Sequence, residues 1–190
     1  MYEKRLFEGA IPLCAFGARS YPSDSAEDMA AFLIILSITD HECDGFRDKV
    51  QDRVSSKHKP EGRGLGQINV PTDINDILDW AAKWSKDNGV AERQLNAVLR
   101  RIPAKPGLKD PPSTIRQLRE QPTEVKEWYV LRDAFTAALI RAKLVRAGVT
   151  LPNPTEYKTD ADYATAVSDY WSKNYQKGHA YAEADRKSVV

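Results

Sequence analysis

The segment from Ser25 to Asp40 is apolar on almost every side, and this constrains the fold more than any other feature. Ser25 can cap a helix here, and Glu27 and Asp28 suit its positive N-terminal end. The apolar positions are Met29, Phe32, Leu33 and Leu36 at helical spacing, with Ile34, Ile35 and Ile38 between them. Because a helix that is apolar all round is normally buried, we predict a central core helix that ends near Glu42.

Apolar periodicity and helix start and stop signals predict five more helices. They span about 72–89, 91–102, 113–118, 123–148 and 160–177. Thr72 or Asp73 can cap the first of them, whose apolar stripe includes Trp84, and Ser113 can cap the third. The fourth is the longest and ends at Gly148. The sequence therefore predicts an all-α fold in which 103–112 and 151–154 are linkers.

Residues 44–70 have no apolar period and contain Gly62, Gly64, Gly66 and Pro60. Glycine permits left-handed backbone, and proline interrupts regular structure. Loops of this length in a compact domain are uncommon unless they carry function or include small elements. We predict a long irregular active-site loop or a small hairpin.

A chain of 190 residues, 42% of them hydrophobic, is sufficient for one core and short for two. We predict a single helical domain over 1–190, with an ordered N-terminal arm over 1–22 and a polar tail over 179–190. The net charge of +1, with interspersed signs, argues against a nucleic-acid partner. No apolar run is long enough to span a membrane, and 1–22 lacks a clear signal-peptide pattern.

Cys14 and Cys43 cannot make a disulfide framework. The favoured interpretation is two small, partly buried thiols in a reducing compartment, and a bridge between them stays open. His58 and His179 lack the spacing of metal ligands. We therefore predict neither a metal site nor a cofactor.

Two short motifs carry the chemical signal, His41 to Phe46 and Gly62 to Asn69. They read His-Glu-Cys-Asp-Gly-Phe and Gly-Arg-Gly-Leu-Gly-Gln-Ile-Asn. Together they resemble the lysozyme superfamily: goose-type lysozymes, soluble lytic transglycosylases and, in wording, plant-type chitinases. The resemblance covers Ile35 to about Asp73. The chain departs from the family pattern at Gly66, where the family has Met, at Cys43, and in lacking a downstream Ala-Tyr-Asn-Ala-Gly element.

The resemblance implies a lysozyme-like fold with Glu42 as general acid, since glycoside cleavage needs a carboxylic acid that protonates the leaving oxygen. It implies that Gly64 lets the backbone approach a sugar chain and that Gln67 and Asn69 bind its polar groups. A second carboxylate would activate water, and we favour Asp52. The other candidates are Asp44, Asp48 and Glu61, and in related lytic transglycosylases a single Glu acts with the substrate's own groups.

The last third of the chain has aromatic pairs at Trp128-Tyr129 and at Tyr170-Trp171. It looks like the C-terminal helices of some phage and secreted-effector wall hydrolases, in which aromatic residues line the sugar cleft. Tyr170 and Trp171 are accordingly candidate substrate-binding residues. Core packing is the favoured alternative, because these aromatics recur at helical spacing.

The resemblance leads to one functional expectation and one alternative. The expectation is a peptidoglycan-cleaving muramidase or lytic transglycosylase, which acts on peptidoglycan or a related polysaccharide. Such a protein is expected in a phage virion or delivered to the periplasm or cell wall, and is otherwise cytoplasmic. The alternative is a non-catalytic virion or interaction protein on a lysozyme-like scaffold, with other virion or secretion proteins as partners.

Overall fold

The computed structural model describes residues 6–42, 62–64 and 68–175, and these form a mainly helical structure with one small hairpin. This confirms the predicted all-α class. The helices are α1 (Ile11–Ala18), α2 (Ser25–Glu42), α3 (Thr72–Asp79), α4 (Val90–Leu99), α5 (Ile115–Glu120), α6 (Thr123–Val130), α7 (Asp133–Ala147) and α8 (Asp160–Tyr170). The strands are β1 (Gly62–Arg63) and β2 (Ile68–Asn69). Short turns of π-helix lie at Leu6–Ala10, Trp80–Trp84 and Trp171–Tyr175, and one turn of 3₁₀-helix lies at Pro154–Glu156.

Helix α2 confirms the predicted core helix but is capped by a different residue. The carboxylate of Asp24, not the hydroxyl of Ser25, accepts the backbone N–H of Glu27 at 2.8 Å. Ser23 donates to Oδ1 of Asp28 at 2.5 Å, which fixes the first turn from the other side. A carboxylate at this position also faces the positive end of the helix, so Asp24 is the better cap.

The buried side of α2 is the isoleucine side. Ile34, Ile35 and Ile38 are buried, whereas Met29 is 52% exposed. The two apolar stripes of this helix differ in size and branching rather than in polarity, so periodicity alone did not separate them. The stripe through Leu36 is only partly covered within the described residues.

The described part of the predicted N-terminal arm is largely helical, and it belongs to the core. Cys14 and Ala18 of α1 are buried. At Gly17, a Cβ atom would lie 2.9 Å from Cβ of Ala137, so glycine is what allows α1 and α7 to approach closely.

Helix α3 begins where predicted, and its apolar stripe is buried as far as Ala81. Trp84, which the same stripe includes, is 61% exposed. The backbone changes to a π-helical turn at Trp80–Trp84, which has more residues per turn than an α-helix. This change rotates Trp84 away from the core.

Helices α4 and α5 and the linker between them agree with the prediction in place, but the cap of α5 is Thr114 rather than Ser113. Thr114 Oγ1 accepts the N–H of Gln117, and the Gln117 side chain accepts the N–H of Thr114, which is a capping box. Ser113 contributes by donating its hydroxyl to Gln117 Oε1 at 3.0 Å.

The predicted longest helix, 123–148, is two helices with a break at Leu131 and Arg132. Arg132 has an extended backbone (φ −89°, ψ 113°). Thr136 donates its hydroxyl to the carbonyl of Val130, which closes the break. The end at Gly148 is as predicted, with a left-handed φ of 65°.

The remaining elements are short. Gly62 pairs with Asn69 and Arg63 with Ile68 in an antiparallel hairpin. A small hairpin was one of the two alternatives predicted for 44–70. Residues 43–61 lie outside the described residues. Helix α8 is followed by a π-helical turn that ends at Tyr175. The predicted tail over 179–190 also lies outside the described residues.

The buried apolar side chains of the described residues form one cluster to which every α-helix contributes. Its largest fully buried members lie on β2 and on the six helices from α2 to α7. Within residues 6–42, 62–64 and 68–175 we find no helix with the length and apolar character needed to cross a bilayer.

Candidate active site

Glu42 is the last residue of α2, so the predicted acid does stand at the end of a buried helix. Thr39, one turn earlier, is 1% exposed. The side chains of His41 and Glu42 lie outside the described residues, as do Asp52 and Gln67 entirely. The backbone position of Glu42 is therefore the structural basis for its assignment.

The hairpin is fixed to the break between α6 and α7 through Gly64. Gly64 is buried and has a left-handed φ of 69°. A Cβ atom there would lie 2.6 Å from the carbonyl oxygen of Val130, and it would also strike Thr136. Only glycine fits both the backbone conformation and the space, so this residue is a docking point for the hairpin.

Contacts along α1 place the end of α2 and the hairpin relative to each other. Cys14 is hydrogen-bonded to Thr39 near the end of α2, whereas Gly17, one turn later in α1, lies against Ala137 of α7. Arg141 of α7 bonds to Glu27 at the beginning of α2. Helices α2 and α7 are therefore antiparallel, and the end of α2 lies toward the start of α7, where Gly64 is held.

Asn69 ends β2 and is partly exposed. Its β-pairing with Gly62 places it beside the two residues that lead to Gly64. The structure thus brings Gly64 and Asn69 together on one small hairpin, on the side of the molecule where α2 ends.

Tyr170 lies elsewhere, in the core. It is 5% exposed, and its hydroxyl has no hydrogen-bond partner within the described residues. Burial raises the pKa of Tyr170 to about 12, although the positive charge of Arg141 opposes this. The burial fits the packing alternative better than sugar binding. Trp171 begins the final π-helical turn, and its side chain lies outside the described residues.

An aromatic and a cation stack at the break beside the hairpin, and sequence reasoning missed the cation. The guanidinium of Arg132 lies 3.6 Å from the centroid of the Trp128 ring. Trp128 donates its indole N–H to the carbonyl of Pro103 at 3.4 Å. The Nε of Arg132 is buried without a partner among the described residues. The spacing of four residues was the available signal, but it is informative only once a helix is known to end there.

A second charged group that the sequence did not reveal lies at the other end of α2. Arg141 is 1% exposed, and its Nη2 donates to Glu27 at 2.7 Å and to Ser23 at 3.2 Å. Its guanidinium lies 5.7 Å from the centroid of the Tyr21 ring. This end of the helix is remote from Glu42, so we infer that Arg141 and its partners stabilise the fold and take no part in the candidate site.

Among the residues that the structure describes, no group of three or more potential metal ligands lies together. No protein-family model matches this chain, and no curated protein and no solved structure is significantly similar to it.

Proposed function

We propose that this protein cleaves the glycan strand of peptidoglycan, as a muramidase or lytic transglycosylase, with Glu42 as general acid. The observation that carries the proposal is the placement of two segments at one end of α7. One is the end of the buried helix α2, and the other is the glycine-rich hairpin held at Gly64. The two motifs that resemble the lysozyme superfamily belong to these two segments.

The position of Glu42 suits an acid that must keep its proton near neutral pH. Ile38 and Thr39, near the end of α2, are buried, so the helix carries the backbone of Glu42 to the edge of the core directly after them. The end of a helix is also its negative pole, which disfavours a second negative charge there. The proton passes to the glycosidic oxygen as the C–O bond breaks. Water or a substrate hydroxyl then attacks the sugar carbon and gives its own proton to the carboxylate left on Glu42.

The stack of Arg132 on Trp128 supports peptidoglycan over a neutral polysaccharide. An indole face binds the apolar side of a sugar ring, and a guanidinium binds a carboxylate. Peptidoglycan offers both, because its muramic acid units and stem peptides carry carboxylates.

The experiment compares the wild type with Glu42→Gln on purified peptidoglycan, by turbidity and by mass spectrometry of the products. Glu124→Gln is the matched control, because it removes a carboxyl from the exposed first turn of α6. We expect cleavage by the wild type and by the control, and a loss of at least a hundredfold in Glu42→Gln. Anhydro ends identify a transglycosylase, and reducing ends identify a hydrolase.

Two results would overturn the proposal in different ways. Equal rates for Glu42→Gln and the wild type would remove Glu42 from the acid role. A folded wild type that cleaves neither peptidoglycan nor chitin oligosaccharides would favour the non-catalytic alternative.

A further inference from the structure

A groove separates α1 from α4 on the side of the molecule formed by these two helices, with a cavity volume of about 560 Å³. Each helix contributes a stripe with the spacing i, i+3, i+4, i+7. The floor is apolar and shallow, because alanines occupy one central position in each stripe, Ala15 and Ala97, beside Phe16 and Val98. An arginine ends each stripe, Arg19 directly after α1 and Arg101 two residues after α4.

The two arginines lie at opposite ends of the groove. Tyr21, just after α1, bonds to Asp87, just before α4, so the end of α1 meets the start of α4. Arg19 is therefore at the end where α4 begins, and Arg101 is beyond the end where α4 finishes. Along a helix, seven residues span about 10.5 Å, which sets the scale of the separation.

Neither arginine side chain has a charged partner among the described residues. Arg19 and Arg101 are exposed, and within the described part of the chain neither has an ion pair or a side-chain hydrogen bond. The residues that line the groove include no carboxylate. The groove therefore presents a cation at each end and an apolar floor between, which calls for an occupant with two anions about 10 Å apart.

Helix α8 of this same chain carries such a pattern on its outer face. Asp162, Thr165, Ala166 and Asp169 have the spacing i, i+3, i+4, i+7, and the two aspartates are exposed. The buried side of α8, with Val167 and Tyr170, lies on a different face. The outer stripe thus has small side chains in its middle and an acid at each end.

We propose that the groove between α1 and α4 binds α8 of a second copy of the chain. The helix lies along the groove, with Thr165 and Ala166 against its apolar floor and an aspartate at each arginine. Two copies can exchange α8 reciprocally, which gives a closed dimer with two equal contacts.

The interactions that the two aspartates of α8 already make within their own chain are weak. Asp169 accepts from Lys173 at 2.8 Å, but both side chains are more than half exposed, so this pair is easily exchanged. Asp162 accepts the hydroxyl of Thr159 at 2.8 Å and has no ion pair within the described part of the chain. The contact depends on exposed charges at the rim of the groove, so the dimer should dissociate as salt is added.

The test is a charge exchange, read by sedimentation velocity of the full chain at low ionic strength. Arg19→Glu/Arg101→Glu places acids in the groove, and Asp162→Arg/Asp169→Arg places bases on α8. We expect each variant to self-associate at least tenfold more weakly than the wild type. An equal mixture of the two variants should associate one to one, because both reciprocal contacts then pair opposite charges. Arg100→Glu/Lys109→Glu, which alters exposed charges outside the groove lining, should associate like the wild type.

A wild type that sediments as a monomer at every attainable concentration would overturn the proposal. A wild-type dimer that survives both double substitutions would place the interface elsewhere. Failure of the mixed variants to associate, with each of them folded by circular dichroism, would exclude this pairing of α8 with the groove.

Discussion

Tyr21 donates its phenolic proton to Oδ2 of Asp87 across 2.8 Å and so joins the end of α1 to the turn that begins α4. The same carboxylate accepts the backbone N–H groups of Val90 and Ala91 at 3.0 and 2.9 Å. Burial alone raises the pKa of Asp87, but hydrogen bonds from Ser85, from Tyr21 and from the backbone outweigh it and hold the pKa below its ordinary value. One ionised carboxylate thus supports both a helix start and a tertiary contact.

Removal of the Tyr21 hydroxyl should make the free energy of unfolding less dependent on pH in the acidic range. We expect Tyr21→Phe to lower the free energy of unfolding at pH 7 by about 1–2 kcal/mol, because the lost hydrogen bond has a charged acceptor. Since the folded pKa of Asp87 is depressed, its contribution is full above the ordinary carboxyl pKa and is lost as pH falls through the folded value. The two proteins should converge in urea titrations near pH 2.

The control for this effect is Tyr163→Phe. The Tyr163 hydroxyl is buried and has no partner among the described residues. Its removal should cost nothing or stabilise the protein. A loss at Tyr163 as large as that at Tyr21 would show that removal of a phenolic hydroxyl, and not the lost bond to Asp87, is responsible.

Gly64→Ala should destabilise the fold by more than the cost of placing alanine in a left-handed backbone conformation. The left-handed φ by itself costs about 1–2 kcal/mol, and the new methyl group also meets Val130 and Thr136. We expect a total loss above about 3 kcal/mol in chemical denaturation. Gly107 has a φ of 81° and no atoms within 4 Å of its Cβ position, so Gly107→Ala measures the conformational cost alone. Equal losses at the two glycines would contradict the close docking of the hairpin.

The ion pair between Arg141 and Glu27 should respond asymmetrically to its two single substitutions. Glu27→Gln leaves a guanidinium buried without its anion, and we expect a loss of about 2–3 kcal/mol. Arg141→Met leaves a carboxylate that is 46% exposed and keeps the buried volume apolar, so the loss should be below about 1 kcal/mol. Thermal denaturation of both variants measures which substitution costs more stability. A larger loss for Arg141→Met than for Glu27→Gln would show that Arg141 is not effectively buried.

Cys14 should resist alkylation in the folded protein. Burial raises the pKa of its thiol to about 11, against the hydrogen bond with Thr39, which lowers it. At pH 8 only about one such thiol in a thousand is a thiolate. We expect iodoacetamide labelling at Cys14, followed by peptide mass spectrometry, to be at least a hundredfold slower in buffer than in urea. Labelling in buffer at the rate of a free thiol would mean that α1 is not packed as described.

Local sequence signals accounted for much of the secondary structure. The core helix α2, the start of α3, and helices α4 and α5 all follow from apolar spacing and from helix start and stop signals. Three caps were assigned wrongly. Ser25 and Ser113 each lie one residue from the true cap, Asp24 or Thr114. Helix α3, for which Thr72 or Asp73 was the predicted cap, follows Pro71 without a side-chain cap. Neighbouring polar residues compete for this role, and only the final backbone geometry decides between them.

The features that were missed depend on residues distant in sequence. The break at Arg132 is closed by Thr136 and occupied by Gly64, which is 68 residues away. Arg141 is buried because Glu27, 114 residues earlier, lies against it. Neither Gly64 nor Glu27 falls within a sequence window the length of one helix, so local patterns do not reveal these contacts. For the candidate site, the sequence predicted Glu42 at a helix end, followed by either an irregular loop or a small hairpin. The stack of Arg132 on Trp128 became visible only in three dimensions.

The docking of Gly64 also sets an order on the formation of the molecule. A ribosome makes the segment with Gly64 well before it makes Val130 and Thr136, which receive it. The hairpin therefore has no place to settle until both α6 and α7 exist as separate helices. The candidate site is consequently completed by the second half of the chain, and a nascent protein has no assembled site to use before then.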